Sequence, residues 1–181
     1  EWLAGLMFYG WADTFGLVSL VYWKWLVIVV TFLLLQQVLQ RQTGHDIAAF
    51  VGAAIAVAIA APFLDMRPHI YTLLCFSLLL LLALERRPSR AVLALLFVLW
   101  VNLHGGFFFG LMALGILLFP WRNYTQAGFK AALVTGVLCL GASLVNPAGV
   151  KALLFPLSYA FDSSSPFREV GEWHSPFREG G

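Results

Sequence analysis

The chain has 181 residues, of which 61% are hydrophobic and only 11% are charged, and its mean hydropathy is +0.85. Soluble domains are closer to half apolar and a quarter charged, so a chain of this size cannot bury all of its apolar side chains. The composition excludes an ordinary water-soluble domain and predicts an integral membrane protein, while a net charge of +2 without a basic stripe argues against nucleic-acid binding.

The apolar residues form continuous runs, which predict an all-α, polytopic bundle of transmembrane helices. Six runs are candidate spans, and the third to fifth are short, so we expect flanking polar residues to complete them. The runs cover about residues 17–36, 47–64, 70–84, 91–103, 106–120 and 129–145.

Two further segments are apolar but too short or too interrupted to cross a bilayer. Residues 2–15 contain Asp13 and several glycines, and residues 148–161 contain Pro156, so we expect both to form interfacial helices. The tail 162–181 is rich in serine, proline and charge, which is typical of a loop.

The chain is therefore predicted to have three parts. Residues 1–16 form the end of an external loop with an interfacial helix, residues 17–146 form the six-span bundle, and residues 147–181 form an external interfacial helix with a loop tail. Because the sequence starts at Glu1 without a methionine, we expect it to be part of a longer protein.

Basic residues set the expected orientation. They collect in the loops after the first, third and fifth predicted spans, which should face the cytoplasm. These residues are Arg41, Arg86, Arg87, Arg90, Arg122 and Lys130. The turns DMRPH, NLHGG and NPAGVK then share the external face, which is the periplasmic side of a bacterial inner membrane.

The stretch WVNLHGGFFFG places Asn102, His104 and two glycines between two apolar runs. One interpretation is a short hairpin between two spans, with His104 wetted at the interface. The other is a site in which His104 and Asn102 contact a polar or phosphorylated ligand, because ionisable groups at the membrane edge are often functional.

The tripeptide Arg67-Pro68-His69 opens the third predicted span. A helix N-terminus beside an arginine and a histidine is typical of a phosphate site. Alternatively, Arg67 pairs with Asp65 or extends to lipid phosphates.

The tail segment Glu172-Trp173-His174 combines a carboxylate, an aromatic ring and an imidazole. The carboxylate could act as a general base or bind a divalent cation. Alternatively, the three are solvated loop residues, with Trp173 anchored at the membrane interface.

Other polar residues receive structural interpretations. Asn146-Pro147 is interpreted as a helix terminator, and Lys24 as an interfacial lysine. Cys75 and Cys139 are interpreted as small packing residues. The sequence contains no Walker loop, CxxC pair or HExxH motif.

The ordered set EWL, RPH, WVNLHGGF, NPAG and EWHSPF resembles bacterial polytopic membrane proteins of the GT-C type, which are related to protein O-mannosyltransferases. The resemblance covers nearly the whole chain. It implies transfer of a sugar from a polyprenyl-phosphate donor at the external face. It also implies an acidic residue in a long first external loop, as base or metal ligand; Glu1-Trp2 would end that loop, and the acidic residue is expected upstream.

The resemblance gives each candidate residue a role. Arg67, His69 and His104 would supply positive charge to the leaving phosphate. Glu172 or an upstream carboxylate would deprotonate the acceptor hydroxyl, and Asn102 and Trp173 would hold the sugar by hydrogen bonding and ring stacking. Apolar grooves would hold the polyprenyl tail. The candidate catalytic residues are Glu172 and His104, and the candidate substrate-binding residues are Arg67, His69, Asn102, Trp173 and His174. No cofactor is implied beyond a divalent cation.

Two other functions stay open. A non-catalytic subunit of a larger membrane complex, including an energy-transducing one, would place the aromatic residues 107–109, Trp23 and Trp25 against partner subunits. A transporter or lipid flippase would need charge within its spans, where the sequence has almost none apart from Lys24.

Overall fold

A computed structural model of the chain describes residues 1–84 and 88–161. These residues form helices joined by short turns, without any strand among them, so the all-helical fold is confirmed for this part of the chain. The helices are α1 (Trp2–Phe15), α2 (Leu20–Thr43), α3 (Asp46–Ala60), α4 (Ile70–Ala83), α5 (Arg90–Leu103), α6 (Phe107–Leu118), α7 (Gln126–Ala142) and α8 (Val150–Phe161). Short 3₁₀ turns at Leu17–Ser19 and Ala61–Phe63 precede α2 and follow α3.

Capping residues set the ends of several helices. Helices α5 and α7 begin after Ser89 and Thr125, whose hydroxyls accept hydrogen bonds from the Val92 and Gly128 backbone N–H groups. Helix α2 ends at Gly44, which has a φ of +70° and donates its N–H to the Gln40 carbonyl. A left-handed residue at this position favours glycine, so the helix stops here.

Length separates α2 from the other apolar helices. Together with its 3₁₀ turn it covers Leu17–Thr43, a helical segment of 27 residues that is long and apolar enough to cross a membrane. Only 11% of its most apolar 18-residue stretch is buried, and the remaining residues are partly or fully exposed. The apolar helices α3 to α7 have 12 to 17 residues each. At 1.5 Å per residue, a 14-residue helix covers about 21 Å of a hydrocarbon core about 30 Å thick. Among the described helices, length alone therefore supports one span.

Helices α4 and α5 form the centre of the bundle. Helix α4 packs against α2, α5 and α6, while α5 also packs against α1 and α7. The largest fully buried side chains come mainly from these two helices, and include Ile70, Tyr71, Leu79, Leu93, Phe97 and Trp100. Cys75 and Cys139 are buried and free, in agreement with their interpretation as packing residues.

The turn between α3 and α4 and the turn between α5 and α6 lie at the same end of the bundle, because residues of both turns are in contact. We call this the His104 end. Helix α1 lies against it, packed on α2 and α5. The opposite end holds the connection from α2 to α3, where the Gln40 side chain donates a hydrogen bond to Asp46.

Candidate functional site

His104 lies between α5 and α6, and both of its ring nitrogens have neighbours. Nδ1 accepts a hydrogen bond from the Gly106 backbone N–H at 3.0 Å and lies 2.7 Å from the Thr72 hydroxyl oxygen on α4. Nε2 lies 3.4 Å from a carboxylate oxygen of Glu1. The side chain is 26% exposed, so the ring is held by the protein and remains accessible at one edge.

The two glycines after His104 have different roles. A Cβ atom on Gly106 would overlap the Thr72 side chain, so the close approach of α4 to the start of α6 requires glycine here. A Cβ atom on Gly105 would meet no atom within 4 Å. Of the two, only Gly106 is therefore needed for packing.

His69 is the residue immediately before α4, and the fold brings it next to His104. The centroids of the two rings are 6.4 Å apart, with an angle of 69° between the ring planes. Arg67 lies in the same turn with an exposed side chain, and its backbone N–H donates to the Asp65 carbonyl at 2.8 Å. The structure therefore places Arg67, His69 and His104 at one end of the bundle.

Asn102 is the penultimate residue of α5, and its buried side chain takes part in four hydrogen bonds. Its amide nitrogen donates to the carbonyls of Val98 at 2.7 Å and Val145 at 2.8 Å. Its oxygen accepts from Trp2 Nε1 at 2.6 Å and from Asn146 Nδ2 at 3.1 Å. A carboxamide has two donor hydrogens and two acceptor positions, so a sugar could bind Asn102 only by displacing one of these four bonds.

Asn146, interpreted from the sequence only as a helix terminator, is part of the same network. Besides its bond to Asn102, its amide donates to the Val101 carbonyl at 3.2 Å, and its oxygen accepts from the Ala148 N–H at 2.8 Å. Helix α7 ends four residues earlier, at Ala142. Asn146 therefore joins the chain after α7 to the end of α5.

Aromatic residues attach α1 and α2 to α4 at the His104 end. The Trp23 indole N–H donates to the Tyr71 hydroxyl at 2.8 Å, and Phe8 stacks on the Tyr71 ring with centroids 5.6 Å apart. Trp11 packs on Trp23 at 4.8 Å. The neighbouring Lys24 lies with Nζ 5.2 Å from the centre of the Trp25 ring. The contacts of Phe8 and Trp11 hold α1 against α4 and α2 at this end of the bundle.

An apolar cavity of about 430 Å³ opens between α2, α3 and α4 and extends to the His104 end. Thr72, the partner of His104, is one of its few polar lining residues. Apolar lining residues include Ile28, Leu35, Ala56, Ile70, Phe76 and Phe109. The hydroxyl that contacts the His104 ring therefore also borders this apolar cavity.

The protonation of His104 is set by its surroundings. Burial lowers the pKa of His104 below the usual 6.5, the Glu1 carboxylate opposes this shift, and the His69 ring adds to it. The imidazole is therefore neutral at pH 7 and serves as a donor and acceptor of hydrogen bonds.

Glu172, Trp173 and His174 lie outside the described residues. Within the ranges 1–84 and 88–161, no group of three or more His, Cys, Asp or Glu side chains is close enough together to hold a metal ion.

Thr72 was not among the residues singled out from the sequence. Its position in the first turn of α4, three residues after His69, was the available signal, since the two residues share one side of the helix start.

Comparisons of the chain with protein-family models, with curated proteins and with solved structures give no match.

Proposed function

We propose that the chain is the membrane-embedded part of a glycosyltransferase that takes a sugar from a polyprenyl-phosphate donor at the external face of the membrane. One observation carries the proposal. The paired rings of His69 and His104 adjoin, through Thr72, an apolar cavity of about 430 Å³. A lipid phosphate needs this combination, because its hydrocarbon chain and its charged headgroup require opposite surroundings.

The exposed apolar surface supports a polytopic arrangement. Helices α2, α3 and α7 carry large exposed apolar side chains along their outer faces, including Leu33, Phe50, Ile55, Leu133 and Val137. A monomer in water rarely exposes contiguous patches of this kind. In our proposal α2 to α7 all cross the bilayer, and the shorter helices are completed by their flanking turns.

The proposed roles follow the chemistry of sugar transfer from a phosphate. Arg67 and His69 balance the charge of the leaving phosphate, and His104 donates a hydrogen bond to one of its oxygens. Glu172 accepts the proton of the attacking hydroxyl, while Trp173 and His174 hold the sugar. Asn102 has an indirect role, because its hydrogen bonds fix the end of α5, which His104 directly follows.

The test is turnover of a radiolabelled polyprenyl-phosphate sugar by the full-length protein in proteoliposomes. His104→Ala and Arg67→Ala should each lower turnover at least about tenfold, a typical effect of losing one charge-stabilising contact. His45→Ala is the matched control, because His45 is exposed at the opposite end of the bundle. Unchanged turnover in both site variants would refute the phosphate site.

A second candidate is a non-catalytic subunit of a larger membrane complex, and the bonding of Asn102 favours it. All four hydrogen-bonding positions of that side chain are used to join α1, α5 and the segment after α7. In this alternative the polar residues hold the fold together, and exposed aromatic side chains such as Trp25 and Phe109 meet partner subunits. Purification in a stable complex, with no turnover by folded full-length protein, would support this candidate.

A further inference from the structure

We propose that Thr72 is a positioning residue that holds His104 as the neutral Nε2–H tautomer, so that the site offers an oxyanion a hydrogen-bond donor instead of a cation. The tautomer is inferred from hydrogen bonds within the protein. The identity of the oxyanion as a lipid phosphate rests on the proposed function.

Two groups next to His104 and Thr72 can only donate hydrogen bonds. The Gly106 backbone N–H points to His104 Nδ1 at 3.0 Å, and the Trp100 indole N–H points to the Thr72 oxygen at 3.2 Å. Since Nδ1 is the acceptor of the Gly106 N–H, the Thr72 hydroxyl, 2.7 Å away, is the donor to Nδ1, while its oxygen accepts from Trp100. Nδ1 therefore receives two hydrogen bonds and carries no proton, which leaves the single proton of the neutral ring on Nε2.

The N-terminus of α6 also disfavours a proton on His104 Nδ1. Gly106 precedes the first residue of this helix, and its N–H belongs to the set of N-terminal donors that have no partner within the helix. A proton on Nδ1 would face this N–H and the positive end of the helix dipole. Both effects disfavour an imidazolium ring at His104.

The proton on Nε2 points to the accessible edge of the ring. The charged or titratable groups near it are the Glu1 carboxylate, 3.4 Å from Nε2, the α-amino group of Glu1 and the His69 ring. The position of the carboxylate shows that an oxygen anion fits beside this edge of the ring. A phosphate oxygen would bind at this edge in place of that carboxylate.

The test is ¹⁵N NMR of histidine-labelled protein in nanodiscs at neutral pH, read as the ratio of the Nε2–H to the Nδ1–H form of His104. The wild-type protein should show the Nε2–H form. Thr72→Val should shift the ratio towards Nδ1–H by about 2- to 10-fold, the effect expected from losing one hydrogen bond. Thr72→Ser should restore the wild-type ratio, because it keeps the hydroxyl.

Thr31→Val is the matched control, since Thr31 borders the same cavity but donates its hydroxyl to the Val27 carbonyl of its own helix. Should Thr72→Val fail to fold, Thr72→Cys keeps a similar size with a weaker donor, and a shift in the same direction is expected. A wild-type ring protonated on Nδ1, or an unchanged ratio in the Thr72 variant that folds, would overturn the proposal. The measurement needs no sugar donor, so loss of the proposed transferase activity and loss of the tautomer are separate results.

Discussion

A threonine inside an apolar helix normally satisfies its hydroxyl within that helix. Thr31 and Thr135 do so, since each donates to the carbonyl four residues earlier, at 2.7 and 2.8 Å. Thr72 instead bonds to side chains of α5 and of the turn that follows it. This use of the hydroxyl links three segments, and it is the reason why the orientation of the His104 ring depends on a residue 32 positions away.

The depressed pKa of His104 leads to a prediction about stability. Between that lowered value and the ordinary 6.5, the unfolded chain binds more protons than the folded chain. The contribution of His104 to the free energy of unfolding is therefore constant above about pH 6.5, decreases as the pH falls through this window, and is constant again below the folded pKa. Thermal unfolding in nanodiscs at about pH 7.5 and about pH 5.5 measures the difference.

The variants for this measurement are His104→Gln and His45→Gln. The first should flatten the pH dependence, because the titrating group is gone while an amide oxygen can still accept from Gly106. The second should match the wild type, because His45 is exposed in the turn before α3. Equal pH dependence of wild type and His104→Gln would contradict the assignment.

Sequence reasoning anticipated which turns hold the candidate residues but not how they are bonded. Alternating helices place residues 67–69 and 102–106 at one end, and the structure has His69 and His104 adjacent there. The partnership of Thr72 with His104 could not be read from the sequence, because a threonine in an apolar run normally bonds to its own helix. Likewise, an Asn-Pro pair stops a helix whether or not the asparagine amide reaches another helix, as Asn146 does.

Helix α6 depends on two glycines one turn apart. A Cβ on Gly106 would overlap Thr72, and a Cβ on Gly110 would overlap the indole ring of Trp100. Gly106→Ala and Gly110→Ala should each lower the stability of the fold by about 1–3 kcal/mol, the usual cost of overpacking, because the obstructing groups are themselves packed. Urea or thermal unfolding in detergent measures this loss.

Gly115 supplies the control within the same helix, since a Cβ there would meet nothing within 4 Å. Gly115→Ala should be neutral or stabilise the protein by up to about 1 kcal/mol, because alanine is the better helix former. If all three alanine variants were equally stable, α6 would not approach α4 and α5 as closely as described.

The helices themselves were largely predictable, because long apolar runs bounded by glycine, proline or polar residues leave few alternatives. The predicted runs and α2 to α7 correspond one to one, and α1 and α8 also form helices where apolar, interrupted segments were identified. The largest difference is in α2, which extends from the predicted end near residue 36 to Thr43. Apolar character ends near residue 36, but glutamine and arginine are good helix formers, so the helix continues until Gly44.

At the scale of the whole molecule, the two ends of the bundle differ in chemistry. The His104 end holds the hydrogen-bonded network of Trp2, Asn102 and Asn146, together with the aromatic contacts of α1. The opposite end carries the exposed basic residues Arg41, Arg90, Arg122 and Lys130, whereas the exposed Arg67 and Lys151 of the His104 end are accompanied by the carboxyl groups of Glu1 and Asp65. Such asymmetry is typical of membrane proteins with a basic cytoplasmic side, and it predicts that the two ends lie in different compartments.

Single cysteines at exposed positions can test this arrangement directly. Asp65→Cys and Ala148→Cys lie at the His104 end. Gln42→Cys, near the end of α2, and Asn123→Cys, in the turn before α7, lie at the opposite end, and all four positions are exposed. A membrane-impermeant maleimide added to intact cells should label the first pair, and the second pair only after the membrane is opened. The native Cys75 and Cys139 are buried and should contribute little background. Labelling of all four positions in intact cells would show that the helices do not cross the bilayer, and the lipid-phosphate site would then lose the membrane surface on which it depends.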